Sequence, residues 1–180
     1  VRIDGRDVRT MGLHELRKRF GTVFQNDTIF EDTIMENINM GRELSEEAVM
    51  EAVLYGRASE FVEEKGGISA QLDIKGANLS GGQKQRILIA RALAAKPDIL
   101  ILDDSSSALD YKTDAALRKE LREHFAETTC VIIAQRISSI MNSDHIMVLE
   151  DGQMIGYGTH QELMETCEIY REIGKSQMGI

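Results

Sequence analysis

The chain has 180 residues, 42% hydrophobic and 28% charged, with a formal net charge of -9 and a pI near 5.0. That size fits one domain or a little more and supports an ordinary core, which excludes a disordered chain. The negative charge excludes a broad nucleic-acid surface and charge-driven docking on anionic lipid, but not phosphate held by the backbone amides of a helix start. Cys130 and Cys167 are the only cysteines, too few for a disulfide scaffold. Cys130 lies in the apolar run "CVIIA" and is expected to be a buried free thiol, which fits a reducing compartment. No apolar run approaches the ~18 residues of a membrane helix, and no signal peptide opens the chain. Val1 stands in what reads as a strand entering a turn, so the chain is expected to be a piece of a longer protein.

In chain order, "VRIDG" predicts a short strand ending in an Asp-Gly turn. Leu13, Leu16 and Phe20 have the spacing of a short helix. "GTVFQ" predicts a strand with Gln25 at its carboxyl end. Thr33 with Glu36 has capping-box spacing, and Ser45 is placed to cap a helix that Gly56 closes. "ASEFVEEKGG" predicts a turn or two of helix, and "GISAQLDIKGAN" an irregular connection. A long helix is predicted from Ser80 to Lys96, the residue before the only proline, Pro97, with Ile87, Ala90, Leu93 and Ala94 on its apolar face. "DILILD" predicts a strand covered on both faces. Asp110 caps the next predicted helix, "YKTDAALRKELREHF", in which "RKELREH" reads as a solvated face. "TTCVIIA" predicts a second buried strand, "HIMVLEDGQMIGYG" a hairpin turning at Asp151-Gly152, and Thr159 with Glu162 a capping box for one last helix, "HQELMETCEIYREI". The fold class is α/β with a helical insertion between Gln25 and Ile87.

In open α/β sheets, ligands bind outside the carboxyl ends of the strands. Three predicted strands end in polar residues there: Gln25, the pair Asp103-Asp104, and Gln135. A carboxylate at the tip of an apolar strand can hold Mg²⁺ beside a nucleotide, and a neighbouring acid can orient or deprotonate an attacking water. "LSGGQ" adds Ser80 followed by two glycines at a helix start, where free amides and the helix dipole favour an anion. A plain serine cap leaves unexplained two glycines that each cost up to ~1 kcal/mol of helix propensity. Arg86 reads as either a nucleotide contact or a salt-bridge partner on that helix. The nine methionines read as core filler,. His14, His124 and His145 read as surface residues, and His160 as a first-turn helix residue without the ligand spacing of a metal site.

Together these residues resemble the nucleotide-binding domain of an ATP-binding-cassette (ABC) transporter over essentially the whole chain. "LSGGQKQR" is similar to the family's signature motif, "ILILDD" to the Walker B strand, "SALD" (Ser107, Ala108, Leu109, Asp110) to the D-loop at the dimer interface, "VFQND" to the Q-loop and "VIIAQRISSI" to the switch segment. "VFQNDTIFEDTIMENI" and "GQMIGYGTHQEL" resemble the exporter branch. The resemblance implies a P-loop NTPase (RecA-like) three-layer core over 1–27 and 88–180, with an inserted α-helical signature subdomain over 28–87. Its first strands and the Walker A loop would lie upstream, since no G-x-x-x-x-G-K-[ST] occurs in the chain. It implies ATP and Mg²⁺ as ligands, with Asp103 and Gln25 toward the metal. Ser80, Gly81, Gly82 and Gln83 would grip the γ-phosphate of an ATP held by a second cassette. It also implies a membrane domain fused upstream, a place at the cytoplasmic face of the plasma (inner) membrane, and no nucleic-acid partner.

Two positions depart from the family pattern. Asp104 stands where a glutamate is usual, one methylene short, and a catalytic group misplaced by ~1 Å can lose about a hundredfold in rate. Gln135 stands where a histidine is usual, and an amide cannot carry the proton or charge of an imidazole. Both departures fall at one ATP site, while "LSGGQ", which serves the other, is intact. The expectation is the degenerate half of a heterodimeric exporter. The alternatives are a slow homodimeric exporter and a soluble ABC ATPase.

Overall fold

The structure, a computed structural model, describes residues 1–25 and 27–178 and divides into two units, Val1–Ile133 and Ala134–Ile180. The first unit is organised by three parallel strands, β3 (Phe20–Val23), β4 (Ile99–Asp103) and β5 (Thr129–Ile133), in the order β3-β4-β5. Their register pairs Val23 with Leu102 and Asp103 with Ile133, so all three run out on one edge. Ahead of them is a small antiparallel hairpin, β1 (Arg2–Ile3) and β2 (Arg6–Asp7). Its turn residues Asp4 and Gly5 both take left-handed backbone, with φ of 50° and 77°, the geometry that favours Asp-Gly in two-residue hairpins. Helix α1 (Leu13–Lys18) forms as its spacing predicts but buries no side chain.

β4 does not have both faces covered as the sequence predicts. Leu100 and Leu102 are fully buried, whereas Ile99 and Ile101 on the other face are half-buried. β5 departs further. Among the described residues it pairs with β4 alone, and Val131 and Ile133 remain 46% and 48% exposed. Cys130 on the same strand is free, as expected, but exposed and not buried. The apolar composition of β5 states what it can bury, and within these residues the strand lacks the neighbours that would do so,.

Among the described residues between β3 and β4 there are four α-helices, α2 (Ile34–Asn39), α3 (Glu46–Tyr55), α4 (Ser59–Glu64) and α5 (Gly81–Leu93), and a 3₁₀ turn at Ile74–Gly76. Ser45 accepts the Ala48 amide as predicted, whereas the Thr33–Glu36 capping box forms only by half: Thr33 accepts the Glu36 amide, but the Thr33 amide donates to Asp32 Oδ1 at 2.7 Å and not to Glu36. Ile34, Ile38, Val49, Val53, Ile87, Ile89 and Leu93 join Val23, Leu100 and Leu102 in one core. Each fully buried side chain of this size contributes about 1.5–3 kcal/mol. A Cβ on Gly21 would stand 2.8 Å from Ala92 O and from Pro97 Cγ, so the last turn of α5 lies directly on β3 because residue 21 has no side chain. α5 stops at Leu93, short of the predicted Lys96. Lys96 takes φ +45°, outside the helical region, and its amide turns back to Leu93 O at 2.9 Å.

Helix α6 (Tyr111–His124) is capped by Asp110 through the Thr113 amide. Its predicted solvated face is not wholly solvated. Arg118 and Asp114 are both buried, with Arg118 Nη2 3.2 Å from Asp114 Oδ1. Among the described residues Arg86 makes no salt bridge. Its guanidinium donates to Gly82 O and Arg57 O and lies over the Phe61 ring. The methionines are not core filler. None whose side chain is described is in the buried core, and Met35, Met141 and Met164 only pack against it from its edge.

The second unit comprises α7 (Ile137–Ile140), the hairpin β6 (Ile146–Glu150) and β7 (Gln153–Gly158), and helices α8 (His160–Thr166) and α9 (Glu168–Met178). The predicted last helix is therefore two helices. Cys167, with φ -112° and ψ 106°, is extended and breaks it, and is itself buried with Ile137, Ile146, Leu163 and Tyr170. His160 is the first helical residue, with Nδ1 2.8 Å from the Tyr170 hydroxyl. The Thr159–Glu162 capping box is complete on both sides.

Hydrogen bonds from the Thr159 amide and hydroxyl hold the Glu162 carboxyl below its ordinary range. A depressed carboxyl stabilises the fold above its unfolded pKa of about 4.3 and loses that contribution as pH falls through the lower folded value. Protection of the Thr159 amide, corrected for intrinsic exchange, should therefore fall in acid for the native chain and stay level for Glu162→Gln. The same fall in both would contradict this.

Candidate functional site

The parallel register of β3 and β4 brings together two of the polar strand tips. Gln25, 79 residues from Asp104 in sequence, donates from Nε2 to Asp104 Oδ2 at 3.1 Å. Gln25 is presented on a turn two residues beyond β3. The Phe24 amide donates to Asp27 Oδ2 at 3.1 Å, and the Asp27 amide returns to Phe24 O at 3.3 Å. Asp103 ends β4, half-buried, and Asp104 follows with φ +48°. Left-handed backbone is tolerated by aspartate better than by most side chains, because a short polar group can bond locally. Asp104 is also tied through its main chain: its amide donates to Ile133 O at 3.0 Å, and its carbonyl accepts the Ser107 amide at 3.3 Å and Ser107 Oγ at 2.9 Å. The carboxylate of Asp104 thus sits on a fixed base with one oxygen engaged.

The signature segment starts α5 with a reciprocal capping box. Ser80 Oγ accepts the Gln83 amide at 3.2 Å, and Gln83 Oε1 accepts the Ser80 amide at 2.9 Å. The signal for it, S-x-x-Q before an apolar run, is present in "SGGQ" and was missed in the sequence reading, which took only the serine as a cap. With the Gln83 amide used by Ser80, the Gly81 and Gly82 amides are the donors left for an anion at this helix start. The two glycines are not equivalent. A Cβ on Gly81 would meet Ala108 Cβ at an ordinary 3.7 Å, whereas one on Gly82 would stand 3.1 Å from the carbonyl oxygen of Ala108. The segment Ser107–Asp110 therefore rests on the bare face of the signature helix of its own chain. Within it Leu109 is buried and its amide donates to Ser106 O at 3.0 Å. Asp110 is committed to capping α6, and the Thr113 amide and hydroxyl, each at 2.8 Å, hold its carboxyl below the ordinary range.

Residues 1–107 match the family model of the ABC transporter. The chain belongs to the ABC transporter family. An uncharacterized ABC transporter ATP-binding protein, YfiB of Bacillus subtilis (strain 168), is 42% identical over 181 residues, 99% of this chain and 31% of the relative. An ATP-dependent lipid A-core flippase of Francisella tularensis subsp. tularensis (strain FSC 198) is 39% identical over 179 residues, 98% of this chain and 29% of the relative. The structure of a bacterial Atm1-family ABC exporter with ATP bound superposes with a TM-score of 0.90 at 34% identity, over 97% of this chain and 31% of the other. This chain is an ABC-transporter nucleotide-binding domain, a mixed α/β fold with a parallel sheet similar to that of the Atm1-family exporter, and it spans about a third of the length of these relatives.

In this ABC domain the structure brings Gln25 beside Asp104 and the Ser107–Asp110 segment beside Gly81 and Gly82. Gln135 belongs to the second unit, exposed, with its carbonyl accepting from Gln177 Nε2 at 2.8 Å while Gln177 Oε1 accepts the Ile137 amide at 2.8 Å. The donor set at the strand tips suits Mg²⁺, a hard cation that takes oxygen ligands and keeps only one or two carboxylates alongside substrate phosphates. Asp103 offers a carboxylate. Gln25, with Nε2 spent on Asp104, keeps Oε1 as an amide oxygen. Among the described residues no group of three or more His, Cys, Asp and Glu lies placed to hold a metal by itself. No helix among the described residues is long and apolar enough to cross a membrane.

Proposed function

We propose that the chain is the ATP-binding part of an ABC exporter, that its own strand tips hold ATP and hydrolyse it slowly or not at all, and that its signature completes the site of a competent partner cassette. The observation that carries this reading is the Gln25–Asp104 pair. Asp104 is one methylene shorter than the family's usual glutamate, it stands on left-handed backbone, and one of its two carboxylate oxygens is engaged by Gln25. Asp103 would hold Mg²⁺, directly or through water, and Gln25 would face it with Oε1. Bound there, the metal neutralises phosphate charge. Asp104 is the acceptor for the water's proton, and its reach sets the rate. Gln135 can donate a hydrogen bond to phosphate but cannot carry a proton. Gly81 and Gly82 present their amides to an ATP held across a head-to-tail dimer.

The rest of the proposal follows the family. The upstream part supplies the Walker A loop and a fused membrane domain, and the substrate passes through the latter. The cassette lies at the cytoplasmic face of the membrane, with residues 28–87 as its helical subdomain and 1–27 with 88–180 as its core. Relatives about three times as long, one of them an ATP-dependent lipid A-core flippase, support export. A homodimer that turns over slowly with Asp104 as its only base is the second reading, favoured by the fixed orientation that Gln25 gives the carboxylate.

Asp104→Asn in the full-length pair separates the two. Under the proposal, turnover stays within about twofold, the change expected of a site that contributes little to the rate. Loss of most of the activity would contradict it and support the homodimer.

A further inference from the structure

Arg91 lies in the last turn of α5, at the opposite end of the signature helix from Ser80, and is half-buried. Among the described residues it makes no salt bridge, and its hydrogen-bond acceptors are carbonyl and amide oxygens. Nε donates to Asn37 O at 2.7 Å, Nη1 to Thr28 O at 3.0 Å and Nη2 to Asn37 Oδ1 at 3.1 Å, with the guanidinium 5.5 Å from the centre of the Phe30 ring. Asn37 is 1% exposed. It accepts the Phe30 amide at 2.8 Å and donates to Phe30 O and Thr33 O at 3.0 Å each. The segment that follows Gln25 is thus gripped three residues on, at Thr28, by the signature helix, and fastened again at Phe30 by a side chain that the same arginine holds. On the near side, Asp27 closes the turn that carries Gln25 onto Phe24. A planar fork with fixed donor directions makes this set of contacts and a lysine cannot, since an ammonium is a point charge.

We propose that Arg91 is a positioning residue for Gln25. It fixes the far end of the Gln25 turn to the signature helix, so that the amide at the strand tips and the helix that meets the other ATP keep one geometry. Phe30, Asn37 and Thr28 transmit nothing by themselves. They are the surfaces against which the guanidinium holds the turn. The inference rests on the proposed role of Gln25 toward Mg²⁺.

The test is a double-substitution cycle in full-length transporter, read as equilibrium ATP binding with Mg²⁺ and with EDTA. Arg91→Lys should weaken Mg²⁺-ATP binding by about tenfold when Gln25 is present, the coupling expected within one hydrogen-bond network. In the Gln25→Ala background the same change should have an effect within about twofold, since the group acted through is gone. ATP binding in EDTA should not move in either background. An equal loss in both backgrounds, or none with Gln25 present, overturns the proposal and makes Arg91 a packing residue. Gln25→Ala without effect on Mg²⁺-dependent binding instead overturns the reading of Gln25 itself, and the Arg91 proposal with it. Should Arg91→Lys fail to fold, Arg91→Gln, which keeps a planar donor, runs the same cycle.

Discussion

Asp114→Ala is expected to destabilise the domain by about 3–5 kcal/mol, the cost of leaving a buried charge without its counter-ion. Both members of the pair are among the few buried charged residues, Asp114 at 4% and Arg118 at 7% exposure. Their atoms approach to 3.2 Å, and Arg118 Nε and Nη1 are buried without a hydrogen-bond partner among the described residues. Burial pushes the Arg118 guanidinium below its ordinary pKa, and Asp114 pushes it back up. With the carboxylate gone, the guanidinium can neither reach water nor deprotonate near neutral pH. Replacing both residues together, Asp114→Leu with Arg118→Met, should be neutral or stabilising, because well-packed apolar groups need no desolvation of charge. The unfolding midpoint of the domain within the full-length protein checks both. A single substitution that costs no more than the double one would show that the pair lies open to solvent.

Gly82→Ala is expected to lower ATP turnover of the full-length protein several-fold, short of the roughly hundredfold loss that accompanies a displacement of ~1 Å near a reacting group, because Ala108 need give by only a few tenths of an ångström. Its Cβ would stand 3.1 Å from Ala108 O, a backbone atom that moves only with the segment that carries it. That segment returns to Asp104 through the bonds of Ser107 to the Asp104 carbonyl, so the disturbance reaches the strand tips of its own chain as well as the signature. Gly81→Ala is the control. It meets Ala108 Cβ at 3.7 Å, ordinary contact, and should leave the segment in place. Faster amide exchange at Ser107 and Leu109 in Gly82→Ala but not in Gly81→Ala is the expected pattern. Equal exchange and equal turnover in both would mean that the glycines serve only to let phosphate approach.

What the sequence makes legible here is local or periodic. Ser45, Asp110 and Thr159 cap the helices they were expected to cap, because a cap is decided within four residues,. Parallel strands with polar tips were legible from "GTVFQ" and "DILILD", and this placed Gln25 and Asp104 on one edge across 79 residues. Their direct hydrogen bond was not legible, since it joins side chains 79 residues apart and no local signal marks the left-handed backbone at Asp104. Burial was read least well. The β5 residues Val131 and Ile133 look like core by composition and lie exposed on a strand that pairs, among the described residues, with β4 alone. Arg118 looks like surface and lies buried, because helical phase puts it on the side of Leu117 and Leu121. The break at Cys167 has no glycine or proline to announce it. The network of Arg91 is not legible because its acceptors are two main-chain oxygens and the side-chain oxygen of Asn37, 54 residues away, which no motif records.

The central claim is a division of labour between two ATP sites, and the partner cassette's Walker B glutamate tests it most directly. Reconstituted with its partner in full length, the protein should lose nearly all ATP turnover when that glutamate is changed to glutamine, because Asp104, short and held by Gln25, cannot replace it. Turnover that survives near the unaltered rate would show that the site at Asp103 and Asp104 hydrolyses ATP on its own, and the division of labour would be wrong.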